Sequence, residues 1–355
     1  MAFKKMDQNL GFADLTLKNS LKHNRSLETM EKLNKAINWL KVQEILLNHY
    51  TVGTSGEGAD AYPSMLLFKC LLLQKWFRIN FDPELENQIN DRLSFKKFLN
   101  LSFDKPSPDH STFFRFRARL SKKAMDQINS EILRQFEAQG LTINEGIAVD
   151  ARLVKSASRP LSNDDIQKNR DKHNTPEGKL DKNGKPKKFY RDLDSNWVIK
   201  NDKPHYGLKE HASVDTNHGF ILAATLTQAS VNDTNYLPYC TTFSRHTKHP
   251  IKKVYADKGY AGKPNRYFLA LNQIADSIMR KDSTTAKLME VEIERNKRLS
   301  KIRYIVEQYF GLSHLHDNAN RARFTTIVKN NFDCWYRQAA YNIARGMKIL
   351  KVSAA

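Results

Sequence analysis

Apolar and polar positions follow two periods along this chain, and the period changes once. Through the first 140 residues the spacing is helical. Leu27, Met30, Leu33, Ile37 and Leu40 recur every third or fourth position, which predicts one helix with a buried stripe. Residues 65–77 are apolar nearly all round, which predicts a central helix, and Pro63 suits its first turn. Pro83 opens another helix through Leu85 and Ile89. Ser107-Pro108-Asp109 reads as a turn in which Asp109 caps a helix carrying Phe113, Phe116 and Leu120. A further helix over 124–136 stops at Gly140.

From Gly146 the pattern is that of a sheet. Gly146-Ile147-Ala148-Val149-Asp150 is a short apolar run closed by an acid, predicting a central strand with Asp150 at its end. Residues 206–215 alternate and 219–228 are β-prone, with Asp215-Thr216-Asn217-His218-Gly219 as the hairpin turn between them. A helix follows from Asn232 through Leu237 and Phe243, with Asp233 read as its cap. Val254-Tyr255-Ala256-Asp257 is a second strand ending in an acid. A helix around 267–271, a strand over 275–279, a long helix over 287–316 and a last amphipathic helix over 327–350 complete the order. Residues 155–203 interrupt it. They are polar, Lys-rich and punctuated by Pro160, Pro176, Gly178, Gly184 and Pro186, and read as a long excursion. No internal repeat is present. The expectation is an α/β protein: a helical N-terminal domain over 1–140, then a mixed sheet with flanking helices and a C-terminal helix over 141–355.

Charge narrows the function. Among 355 residues, 58 Lys and Arg face 38 Asp and Glu, giving +20 and a pI near 9.7. Such a surface attracts polyanions, nucleic acid first and an anionic membrane surface second. No apolar run approaches the ~20 residues that span a bilayer, and the first residues do not read as a secretion signal. Cys70, Cys240 and Cys334 are scattered and lack CxxC spacing, which argues against a disulfide framework or a zinc site and for a reducing cytosol.

Asp150 and Asp257, each at a strand end, are the candidate chemistry. A lone Asp at such a place is most simply a turn residue. In a cationic protein, a cluster of carboxylates is also suited to hold Mg²⁺, which prefers oxygen ligands and keeps substrate phosphate in its shell. Two such ions can activate an attacking oxygen and stabilise a leaving one.

Four stretches carry a resemblance. Pro108-Asp109-His110-Ser111-Thr112 with Arg115-Phe116-Arg117, Val149-Asp150, Ala256-Asp257-Lys258-Gly259-Tyr260, and Arg303 with Glu307 in Tyr304-Ile305-Val306-Glu307-Gln308-Tyr309-Phe310-Gly311 resemble bacterial insertion-sequence transposases of the DDE type, specifically the insertion sequence five family. The run into Val231-Asn232-Asp233 is similar too. The resemblance implies an RNase H-like catalytic core with the first Asp on the first strand, the second on the fourth and the Glu on a later helix. Carried onto this sequence, these are Asp150, Asp257 and Glu307, holding two Mg²⁺ ions for which Mn²⁺ can substitute. Only 49 residues lie between Asp257 and Glu307, too few for a large inserted domain, whereas the 106 between the aspartates accommodate the excursion. Where the family usually places a Tyr before Arg303 and a Lys after Glu307, this chain has Ser300 and His314.

The implied activity is cleavage at an element's terminal repeats and strand transfer into target DNA. Its partners are double-stranded DNA and further copies of the chain, and its place is the cytoplasm at the nucleoid. The alternatives are a stand-alone metal nuclease of the same fold and an inactive, DNA-binding descendant. Arg303, His314, Arg115, Arg119, Lys182, Lys185, Lys187 and Lys188 are the expected DNA contacts. Asp215 reads as a structural turn residue, His110 as a local hydrogen-bonding partner, and Glu290, Glu292 and Glu294 as a solvated helix face.

Overall fold

The computed structural model describes residues 4, 24–53, 60–175, 179–180, 184, 192–282 and 287–350. The chain divides into two compact units, Met1–Leu141 with Tyr336–Ala355, and Thr142–Trp335. The sequence alone assigns the whole last helix to the second part. Its residues from Tyr336 onward instead group with the first unit, because they supply apolar side chains to that core.

In the first unit, seven helices are described before residue 141: α1 (Arg25–Ala36), α2 (Trp39–His49), α3 (Ser64–Trp76), α4 (Asp82–Asp91), α5 (Leu93–Leu99), α6 (His110–Arg119) and α7 (Lys122–Ala138). The stripe from Leu27 to Leu40 does not make one helix. Ile37 is extended, and the Asn38 side chain accepts from the Leu40 N–H at 3.1 Å and starts a second helix. Leu40 is thereby turned outward, at 69% exposed. Helix α3 is buried nearly all round, as its composition predicts. Phe68, Phe95, Phe113, Phe116 and Phe136 are fully buried and form the aromatic part of this core. The last helix, α12 (Ile327–Leu350), adds Tyr336, Ala339, Ala340 and Ile343 to it. At Gly346 a Cβ would meet the Phe136 ring at 2.1 Å, so only glycine permits the close approach to α7.

The second unit is built on a six-stranded sheet: β1 (Gly146–Lys155), β2 (Asn196–Lys200), β3 (Lys203–Asp215), β4 (Ile221–Gln228), β5 (Lys253–Ala256) and β6 (Ala275–Ile278). The path runs β2-β3-β1-β5-β6, and β4 also pairs with β3. β1 is antiparallel to β3 and parallel to β5, which is parallel to β6. Without β2, which belongs to the excursion, the strand order is third, second, first, fourth, fifth, the RNase H-like arrangement. The elements around it are α8 (Asn163–Asn174), α9 (Leu237–Phe243), α10 (Lys263–Leu271) and α11 (Glu290–Asp317). The described part of the excursion is thus not structureless, since it holds α8 and β2. Asp215, wholly buried, accepts from the Asn144 N–H at 3.1 Å and the His218 N–H at 2.6 Å, and so closes the β3–β4 turn. The cap at 232–233 is Asn232, whose side chain accepts from the Thr234 N–H, and Asp233 instead pairs with Lys209 at 2.7 Å.

Candidate active site

Asp150 is not the end of its strand. β1 continues to Lys155 because its second half still has β3 as a partner, as far as Gly207. It is the parallel partner that stops: β5 ends opposite Val149, with Ala256 as its last paired residue. Asp150 and Asp257 are therefore the next residues after the last parallel pair, Asp150 midway along β1 and Asp257 just past the carboxyl end of β5, the end at which open α/β sheets leave a crevice. The turn after Asp257 is braced from outside, since Thr234 donates to the Gly259 carbonyl at 2.8 Å and Asn265 to the Tyr260 carbonyl at 3.0 Å.

Helix α11 brings the third carboxylate. It runs unbroken through Gly311 to a left-handed cap at Asn318. Val306, Tyr309 and Ser313 are its buried face, while Leu312 is 36% exposed. Arg303 lies along that face with its side chain 13% exposed, and Glu307 flanks it at 46%. Arg303 Nη1 donates to Asp150 Oδ2 at 2.5 Å and Nη2 to Glu307 Oε1 at 2.7 Å. One guanidinium thus ties the strand carboxylate to the helix carboxylate. Asp150 Oδ1 accepts from the Ala151 N–H at 2.8 Å.

Burial pushes the Asp150 carboxyl above its usual range, and the neighbouring Asp257 and Glu307 charges push the same way. The Arg303 guanidinium opposes them. Tyr260, 2% exposed, has its hydroxyl pushed well up by burial, with Asp150 and Asp257 among the charges adding to it. Its oxygen has no hydrogen-bond partner among the described residues.

Among the described residues no three Asp, Glu, His or Cys side chains close around a point that could hold an ion. The donor chemistry nonetheless suits a divalent cation. All the side chains concerned offer hard oxygens, and the partly buried Asp150 favours a positive counter-charge. Arg303 supplies that charge at present.

The remaining expected contacts lie elsewhere. His314 is exposed near the end of α11. Arg115 and Arg119 are exposed on α6 in the first unit, with Arg115 hydrogen-bonded to Thr112 at 3.2 Å, whereas Arg117 turns inward to Asp82. His110 bonds not within its own turn but across to Glu86 of α4, at 3.0 Å. Glu290 and Glu294 are exposed, and Glu292 caps α11 through the Met289 N–H. Lys182, Lys185, Lys187 and Lys188 lie outside the described residues.

Two site-adjacent residues went unnoticed in the sequence: Glu210 and Arg152, opposite one another on β3 and β1. The signal was present, because Glu210 occupies an inward position between Leu208 and Ala212 in an alternating strand.

Residues 143–343 match the family model described as transposase DDE domain, and residues 16–119 match that described as transposase domain (DUF772). The chain belongs to the DDE transposase family. A similar protein is the transposase for insertion sequence element IS1106 of Neisseria meningitidis serogroup B, 30% identical over 251 residues, covering 68% of this chain and 80% of that relative. No solved structure matches the chain. A DDE transposase acts on DNA and generally works with divalent metal ions, and its RNase H-like domain accounts for the sheet described above. No described helix of this transposase is long and apolar enough to cross a membrane.

Proposed function

We propose that Asp150, Asp257 and Glu307 are the acidic set of this transposase and would hold two Mg²⁺ ions, with Mn²⁺ able to substitute. The reading rests on one observation above all: a single cation, Arg303, already bridges Asp150 and Glu307 beside the end of the Asp257 strand. Bound divalent metal supplies activation of an attacking oxygen and neutralisation of the charge that develops on the scissile phosphate. The carboxylates would supply anionic oxygen ligands from the middle of β1, the end of β5 and one helix. Arg303, released from neutralising them, is placed to meet a phosphate oxygen in the two-pronged way a guanidinium does. Water and then the DNA's own 3′-hydroxyl are the attacking groups, so no side-chain nucleophile is required. The substrates are the element's terminal repeats and a target duplex. Arg115, Arg119 and His314 would contact the backbone, and the helical unit would bind the ends and join copies into a homodimer or larger assembly.

Asp150→Asn and Asp257→Asn each remove a charged ligand while changing little volume. Both are expected to abolish Mg²⁺-dependent cleavage of a duplex carrying the element's flanking ends, with DNA affinity within a few-fold of wild type in a gel-shift assay. Cleavage at the wild-type rate by either variant, or in EDTA, overturns the assignment. Cutting without joining by the wild-type chain would mark a stand-alone nuclease.

A further inference from the structure

The polar network beneath α11 has no part in the reaction as described, yet it is built around a fully buried charge. Glu210 on β3 is 0% exposed. It faces Arg152 across the β1–β3 ladder, two residues along the strand from the Asp150–Ala212 pair and on the same face of the sheet. Arg152 gives Nε and Nη2 to Glu210 Oε2 at 3.0 and 2.6 Å. The other carboxylate oxygen accepts the Tyr309 hydroxyl at 2.5 Å and lies 3.6 Å from the Cys334 sulfur. Arg152 also reaches the helix directly, with Nη1 on the Phe310 carbonyl at 2.9 Å and its guanidinium 5.0 Å from the Phe310 ring centroid.

We propose that Glu210 is a positioning residue: with Arg152 it fixes the depth and rotation of α11 at Tyr309 and Phe310, and so sets where Glu307 stands against Asp150. The proposal rests on the reading of Glu307 as a metal ligand. A buried ion pair contributes little net stability compared with apolar side chains of similar size, and α11 already packs through Val306 and Tyr309. What the pair adds is two aimed bonds, one to a side-chain hydroxyl and one to a main-chain carbonyl. These fall two and three residues after Glu307, while Arg303 grips Asp150 four residues before it. The helix is therefore held on both sides of Glu307. A slip of one residue would rotate α11 by about 100° and shift it by about 1.5 Å, far beyond the ~0.2 Å tolerance of a metal–ligand distance. Glu210 is not itself a ligand in this arrangement, because Arg152 occupies one of its oxygens and Tyr309 the other.

Tyr309→Phe removes one hydroxyl and little else, and Glu210→Gln keeps the shape while removing the charge. In the full chain bound to a duplex of its flanking ends, three quantities are read: thermal melting, DNA affinity, and Mn²⁺ binding by electron paramagnetic resonance. Single-turnover cleavage is followed across a Mg²⁺ titration. Both variants are expected to bind DNA within about twofold of wild type, to need roughly tenfold more metal for half-saturation, and to recover much of the cleavage rate at high Mg²⁺. An unchanged metal midpoint in folded Tyr309→Phe overturns the proposal. So does a cleavage loss that only tracks the unfolded fraction. Glu307→Gln in the same assay separates the two readings. If it binds Mn²⁺ and cuts like wild type, the ligand assignment fails and the positioning role with it. If it loses metal while Tyr309→Phe and Glu210→Gln bind as wild type, the positioning role alone fails.

Discussion

His211 shows what burial does to a single group here. Its side chain is wholly buried on β3, stacked on Tyr236 at 4.3 Å between ring centroids, with Nε2 2.9 Å from the Thr227 hydroxyl. Desolvation pushes its pKa down to about 4, against the pull of Asp233 and Glu210 and with a small push from Lys209. The folded protein therefore keeps His211 neutral at a pH where the unfolded chain protonates it. Between pH 6.5 and about 4 the unfolded state binds more protons, so stability is full above pH 6.5 and declines as the pH falls through that window. At pH 5 the loss from this one residue is about 2 kcal/mol. Urea midpoints at pH 7 and pH 5 should fall apart for wild type and move closer in His211→Gln, which keeps an amide for Thr227. Equal pH sensitivity in both proteins would show that the imidazole is not the group responsible.

At the scale of an element, α11 decides which glutamate joins the strand aspartates. Glu292 and Glu307 lie on the same 28-residue helix, but Glu292 caps its N-terminus, while Glu307 shares Arg303 with Asp150. An Arg–Glu pair one turn apart on a helix surface is worth only about 0.3–0.5 kcal/mol. The Arg303–Glu307 pair differs because the same guanidinium also serves a partly buried strand carboxylate. Glu307→Gln is expected to lose Mg²⁺-dependent cleavage by orders of magnitude with little change in melting. Glu292→Gln should cleave normally and lose a small amount of helix stability. The opposite pattern, with Glu292→Gln folded and inactive, would mean that the third carboxylate has been misplaced.

For the whole molecule, the +20 charge sets how binding responds to salt. Each phosphate contact by Lys or Arg contributes a slope of about 0.9 in log affinity against log salt. The excursion carries Lys182, Lys185, Lys187 and Lys188 in close succession. If these lysines meet DNA, replacing all four with Gln should flatten the slope by roughly one to four units. Affinities measured between 50 and 200 mM salt, a fourfold range over which four such contacts would change affinity by up to about 150-fold, decide it. An unchanged slope would leave the four lysines as solvated charges.

How much of this was legible in the chain depends on whether the signal was local. Helices α3, α6 and α7, the β3–β4 hairpin and the long α11 follow from period, caps and turn residues, because each depends on neighbours within one or two turns. The family's spaced motifs point to Asp150, Asp257 and Glu307 as the proposed acidic set for the same reason: the residues around each acid are contiguous in sequence. The break at Ile37–Asn38 was missed because an unbroken apolar stripe outweighed one capping residue. The strand beyond Asp150 was missed because its length depends on a partner some 60 residues away, and the separation of Tyr336 onward from the rest of α12 depends on cores that no window contains. The order of the strands, the shared Arg303 and the buried Glu210–Arg152–Tyr309 network exist only once β1, β3 and α11 meet. A periodic pattern tells which side of an element is buried, and tertiary packing alone decides what that side is buried against.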